Sequence, residues 1–135
     1  MTDAPTGLRE RPKSPHLTVW RWHITMLTSI LHRATGAALY GGALIVAGWA
    51  IALASGPEAY GQYKALLGSP LGKLVMFGMT VAVFYHLANG VRHIVWDAGH
   101  GLDLRSANAS SIAVFAFTAA ATLAIWLIAG MTGAL

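Results

Sequence analysis

The sequence predicts an all-α membrane protein with three transmembrane helices. Of its 135 residues, 56% are hydrophobic and only 10% are charged, whereas an ordinary soluble domain has about 25% charged residues. A soluble fold of this size could not bury so much apolar surface, because small domains leave much of their area in water. Three long stretches, 34–57, 74–91 and 106–135, contain no Asp, Glu, Lys or Arg. At about 20 helical residues per crossing, they predict spans near 28–54, 71–95 and 110–133.

Each predicted span has its own boundary signals. Runs of this length suit helices rather than the much shorter strands of a membrane barrel. Gly56-Pro57 ends the first span, and Ser69-Pro70 begins the second, with Pro70 in the first helical turn. The segment 97–108 connects the second span to the third. We expect residues 23–135 to form one three-helix anchor domain, preceded by a polar tail of residues 1–22.

Basic residues are divided unevenly between the two ends of the predicted helices. The tail end has seven and the other end has two: Arg9, Arg11, Lys13, Arg21, Arg33, Arg92 and Arg105 against Lys64 and Lys73. Because basic segments stay on the cytoplasmic side, we expect a cytoplasmic N-terminus, and no nucleic-acid partner is needed to explain these charges. The tail has no apolar signal-peptide core and contains Asp3 and Glu10, which favours a bacterial inner membrane over a mitochondrial one.

Missing features also limit what the chain can do. It contains no cysteine, so it supplies no disulfide, thiolate nucleophile or cysteine ligand to an iron–sulfur cluster. No predicted segment outside the membrane reaches thirty residues, and none carries a nucleotide-binding loop or a flavin fingerprint. The chain is therefore expected to be one part of a larger complex, with a second membrane subunit and a soluble catalytic portion.

The first candidate site lies at the start of the first span. Ser29 and Arg33 are four residues apart and share a helix face, with His32 beside them. A hydroxyl next to a fixed cation suits a quinone carbonyl or a carboxylate, and arginine can stabilise negative charge that develops on reduction. Alternatively, Arg33 reaches lipid phosphates and Ser29 bonds to its own helix.

The second candidate site is His86, about 9 Å along the helix from Arg92 and so at membrane depth. A neutral imidazole there can bond to a neighbouring helix, relay protons or bind a metal, and haem iron is the best-matched metal. Gly90, one turn away, leaves room for a flat ligand or a close helix. A single histidine leaves the second iron face to a ligand from a facing helix.

Two more residues close the second span. His93 shares a face with His86 but stands about 10.5 Å further along the axis, so the two cannot bind one iron. A polar role at the helix end is the simpler interpretation of His93. Asp97 is a candidate ion-pair partner for Arg92 or Arg33.

Three segments in order resemble the cytochrome b subunit of succinate dehydrogenase, the larger membrane anchor of respiratory complex II. They are 11–17 (RPKSPHL), 29–36 (SILHRATG) and 86–97 (HLANGVRHIVWD). The resemblance implies that His86 is one axial ligand of a haem b, with the other ligand from a smaller anchor subunit. It also implies that His32 and Arg33 lie beside the haem propionates, and that Ser29 and Arg33 line the ubiquinone pocket.

The function implied by the resemblance is electron transfer from succinate to ubiquinone, in the respiratory chain and the citric acid cycle. A flavoprotein subunit and an iron–sulfur subunit would carry the catalysis, and this chain would be non-catalytic. Two other classes of function stay open. One is a haem-free structural anchor in which His86 makes only a helix–helix bond. The other is a small proton-conducting or transport subunit, although the outer half offers only scattered threonines.

Overall fold

A computed structural model describes residues 21–133, and this part of the chain contains four helices. They are α1 (Ile24–Ala54), α2 (Pro57–Gly68), α3 (Pro70–Asp97) and α4 (Leu104–Met131). By length and composition, α1, α3 and α4 are long and apolar enough to cross a membrane. The prediction of an all-α protein with three transmembrane helices is confirmed. The predicted tail, residues 1–22, lies almost wholly outside the described residues.

The connection between the first two spans is itself a helix, α2, which the sequence analysis did not predict. Gly56 has a φ of 107°, a value that favours glycine, and Pro57 occupies the first helical position. The Tyr63 hydroxyl donates a 2.6 Å hydrogen bond to the carbonyl of Ile45. The same ring lies against Gly48, where a Cβ would be 3.0 Å from the hydroxyl oxygen. These contacts fold α2 back against α1.

Side-chain caps set the starts of the other two spans. The Ser69 hydroxyl accepts a hydrogen bond from the backbone N–H of Gly72 at the start of α3. Asp103 Oδ1 accepts one from the backbone N–H of Ser106 at 2.9 Å, so α4 begins six residues before the predicted span. Hydrogen bonds from the side chain and the backbone of Ser106 lower the pKa of the Asp103 carboxyl.

The interior between the helices is polar and small rather than bulky and apolar. The buried apolar side chains are few, whereas the buried polar ones include Thr28, Asn89, Arg92, Ser111, Thr118 and Thr122. Large apolar side chains point outward instead, Leu44 and Leu74 being about two-thirds exposed. This pattern is typical of membrane helices, which associate through close packing and hydrogen bonds because lipid is as apolar as leucine.

Candidate functional site

Arg92 ties three helices together near the end of the bundle where α1 begins. Its side chain is 5% exposed and makes five hydrogen bonds of 2.9 to 3.3 Å. The acceptors lie on α1, α3 and α4: Thr28 Oγ1, Asn89 Oδ1, Ser110 Oγ, Ser111 Oγ and the carbonyl of Ala107. A guanidinium can satisfy this many acceptors because its five N–H donors form a planar fork.

The candidate ion pair of Asp97 is not formed within the described residues. Asp97 is exposed at the end of α3, and in the part of the chain that the structure describes it pairs with neither Arg92 nor Arg33. The Arg92 guanidinium turns inward to neutral acceptors, and its carbon lies 3.8 Å from the centroid of the Trp96 ring. Trp96 in turn donates a hydrogen bond to the carbonyl of Gly101. Arg92 is a buried bundle residue rather than a charge of the connecting loop.

His86 lies between α3 and α1, and both of its hydrogen bonds use Nδ1. This nitrogen is 3.2 Å from the His32 carbonyl and 3.3 Å from Thr35 Oγ1. A carbonyl can only accept, and the Thr35 hydroxyl already donates to the carbonyl of Leu31 at 2.8 Å. Nδ1 must therefore carry the hydrogen, which leaves the lone pair of the neutral ring on Nε2.

Two glycines flank the His86 ring differently. A Cβ at Gly36 would lie 3.1 Å from Cε1 of His86, so the absence of a side chain there lets the imidazole approach α1. A Cβ at Gly90, one turn along α3, would meet no atom of the described chain within 4 Å. Among the described residues, no other helix therefore covers the face of α3 at Gly90.

His32 connects the two histidines of α3. Its ring stacks on His86 with centroids 4.0 Å apart and planes 9° from parallel, and its centroid is 5.0 Å from that of His93. His93 also lies edge-on to Trp96 at 5.4 Å. This histidine cluster is not predicted from the sequence. The spacing of seven between His86 and His93 was a signal, but the α1 residue between them depends on how the helices pack.

Ser29 and Arg33 lie together on α1, as their spacing predicts. Arg33 Nη2 donates a long, 3.5 Å hydrogen bond to Ser29 Oγ. Arg33 is exposed and Ser29 is half-buried, so both can reach a group outside the described chain. Within residues 21–133, no group of three His, Cys, Asp or Glu side chains could hold a metal ion. His86 would therefore offer an iron one ligand from this part of the chain.

The fold and the site define a helical membrane subunit that places a cluster of three histidines and a serine–arginine pair near one end of the bundle. A sequence model of the succinate dehydrogenase/fumarate reductase transmembrane subunit family matches residues 7–125. The chain belongs to this family, and it is a non-catalytic membrane subunit.

Three individual relatives are likewise named as succinate dehydrogenase cytochrome b subunits. The succinate dehydrogenase cytochrome b556 subunit of Paracoccus denitrificans is 39% identical, over 86% of this chain and 88% of the relative. The succinate dehydrogenase cytochrome b556 subunit of Rickettsia felis is 35% identical, over 87% of this chain and 92% of the relative. The mitochondrial cytochrome b560 subunit of Homo sapiens is 35% identical, over 85% and 69%. The similarity thus covers nearly all of the described bundle.

Proposed function

We propose that this chain is the cytochrome b anchor of a bacterial succinate dehydrogenase, binding one haem b through Nε2 of His86. The observation that carries the proposal is the hydrogen bonding of His86 Nδ1 to the His32 carbonyl and Thr35. Metal-bound histidines characteristically donate their other N–H to a carbonyl or carboxylate, which fixes the ring and its tautomer. The names of the relatives, cytochrome b556 and b560, support a haem protein.

The residues around His86 fit such a group. His32 and Arg33 are the candidates for the propionates, and the open face at Gly90 gives space beside the ligand helix. A smaller anchor subunit would provide the other ligand to the iron. When bound, the haem supplies a one-electron carrier, and this chain supplies a ligand, an orientation and a positive charge.

Ser29 and Arg33 form this chain's part of the ubiquinone site. In its hydrogen bond with Arg33, the Ser29 oxygen is the acceptor, so its hydrogen is free to be donated to a quinone oxygen. The positive charge of the Arg33 guanidinium favours the negative charge that reduction places on that oxygen. The length of the Ser29–Arg33 bond, 3.5 Å, makes it weak enough for a ligand to replace.

The remaining partners follow from the same assignment. An iron–sulfur subunit lies over the end of the bundle that holds Ser29, and a flavoprotein oxidises succinate above it. We infer that this end faces the cytoplasm of a bacterium, because most of the basic residues lie there. Electrons from succinate then reach ubiquinone at the membrane surface.

A haem-free anchor is the second candidate, and one observation favours it. His86 already makes a hydrogen bond between α3 and α1, which is what a purely structural histidine would do. In that case Nε2 would contact only lipid or the partner subunit.

The first test is a dithionite-reduced minus oxidised spectrum of the purified complex. We expect a b-type band in the unmodified complex and its loss in the His86→Leu variant. His100→Leu is the matched control, because His100 is exposed beyond the end of α3. The b-type band of this variant should be unchanged. No band in the unmodified complex would establish the haem-free anchor. A band that survives His86→Leu and is lost in His93→Leu would move the ligand to His93.

A further inference from the structure

A cavity of about 640 Å³ lies at the end of the bundle opposite to the histidine cluster. It is open on one side and is lined by α2 and by the neighbouring ends of α1, α3 and α4. Two lysines and four aromatic residues contribute to its wall: Lys64, Lys73, Trp49, Tyr60, Tyr63 and Trp126. Among the residues that the structure describes, no Asp or Glu lines it, and its charged side chains are the two lysines.

The cavity lies at the depth of the lipid headgroups. Lys73 is about 4.5 Å along the axis from the start of α3, and Trp49 is about 7.5 Å from the end of α1. Tryptophan and tyrosine are enriched at this depth because their rings are apolar with one polar group. Tyr63 is held in place by its bond to the Ile45 carbonyl, which fixes α2 as a wall of the cavity.

The cavity continues into an apolar groove of about 420 Å³. The two share Met76, Thr80 and Ile125, and the groove is otherwise lined by apolar residues and a glycine of α1 and α3. Its far wall includes Phe84, about 16.5 Å along α3 from Lys73. That distance is about half of the hydrocarbon core, which is about 30 Å thick.

We propose that this continuous cavity binds one anionic phospholipid, with its phosphate at Lys64 and Lys73 and an acyl chain in the groove. Two lysines without a carboxylate favour a net negative headgroup over a zwitterionic one, whose ammonium they repel. The change from cationic to apolar lining, in the direction of the membrane interior, matches the shape of a lipid. None of these residues belongs to the proposed haem and quinone sites, so failure of one proposal would leave the other unaffected.

Native mass spectrometry of the intact, delipidated complex tests the proposal, with phosphatidylglycerol or phosphatidylcholine added. We expect phosphatidylglycerol to bind more tightly than phosphatidylcholine to the unmodified complex. A basic residue near the surface contributes about fivefold to anionic lipid affinity, so Lys64→Gln/Lys73→Gln should weaken binding about thirtyfold. The control is Arg105→Gln, which removes an exposed cation from the other end and should leave binding unchanged.

Two further arms separate the lipid from other occupants. Val83→Trp fills the groove while keeping both lysines, and it should weaken phosphatidylglycerol binding at least severalfold. Inorganic phosphate alone should not compete. Three results would each overturn the proposal. They are equal binding of the two lipids, competition by phosphate, and an unmodified complex in which the partner subunit leaves no lipid site.

Discussion

The chemistry of the candidate site depends on which nitrogen of one imidazole carries a hydrogen. Within residues 21–133, the His86 ring bonds to the His32 carbonyl and the Thr35 hydroxyl and to no carboxylate. Both act as acceptors, so Nδ1 is the donor and Nε2 keeps its lone pair. The missing Cβ at Gly36 is part of the same arrangement, because it lets the ring come within bonding distance of α1.

At the residue scale, Ser29 and Arg33 can be tested by separating the two half-reactions. Arg33→Leu should lower the rate of quinone reduction about 10- to 150-fold, since hydrogen bonds to charged groups contribute about 1.5–3 kcal/mol. Ser29→Ala should lower it about fivefold, for a neutral bond of about 1 kcal/mol. Succinate oxidation with an artificial electron acceptor should persist in both variants.

The matched control is Ser55→Ala, which removes a hydroxyl at the far end of α1 that bonds only to its own helix, at the Ile51 carbonyl. Both activities should be unchanged. If Ser29→Ala or Arg33→Leu lowers the two activities equally, the residues act in assembly and the quinone assignment is wrong.

At the scale of the elements, Arg92 is the main polar link between α1, α3 and α4. Replacing it with methionine keeps much of its apolar length and removes four hydrogen bonds to other helices. At about 0.6 kcal/mol for each interhelical bond in a membrane, we expect a loss of about 2 kcal/mol. The midpoint of thermal unfolding of the purified complex, followed by tryptophan fluorescence, should fall.

Two further variants serve as an intermediate case and as a control. The unfolding midpoint of Arg92→Lys should lie between those of the unmodified complex and Arg92→Met, because an ammonium lacks the planar fork that reaches several acceptors. Arg105→Met removes an exposed arginine near the start of α4 and should not change the midpoint. An unchanged midpoint in Arg92→Met would show that packing alone holds the three helices together.

The elements also show how far the sequence predicts the structure. The three spans follow from stretches without charge, and the proximity of Ser29 to Arg33 follows from helical spacing. The burial of Arg92 could not be predicted, because it lies five residues from the end of α3 and four of its five acceptors are on two other helices. Helix α2 was missed because it is short and polar, although Gly56-Pro57 is also a helix-start signal.

At the scale of the whole molecule, the bundle has two chemically different ends and an apolar outside. Leu74, Leu87 and Ile94 of α3 are all more than half exposed, which suits lipid or a second membrane subunit. One end carries the histidine cluster and Arg33, and the other carries α2 with Lys64 and Lys73. Arg92 is buried, but Arg21, Arg33 and Arg105 remain exposed at the first end, so the charge difference that predicts the orientation persists.

The orientation can be measured cleanly because the chain contains no cysteine. His100→Cys and Gln62→Cys each place one thiol at an exposed position, the first beyond α3 and the second on α2. With a membrane-impermeant maleimide applied to bacterial cells whose outer membrane is permeabilised, Gln62→Cys should be labelled directly. His100→Cys should be labelled only after the inner membrane is opened, because basic ends stay in the cytoplasm. Labelling after full solubilisation is the control that shows both thiols to be reactive. If His100→Cys were labelled directly in cells and Gln62→Cys only after the inner membrane is opened, the topology would be inverted and the quinone site would lie at the outer face.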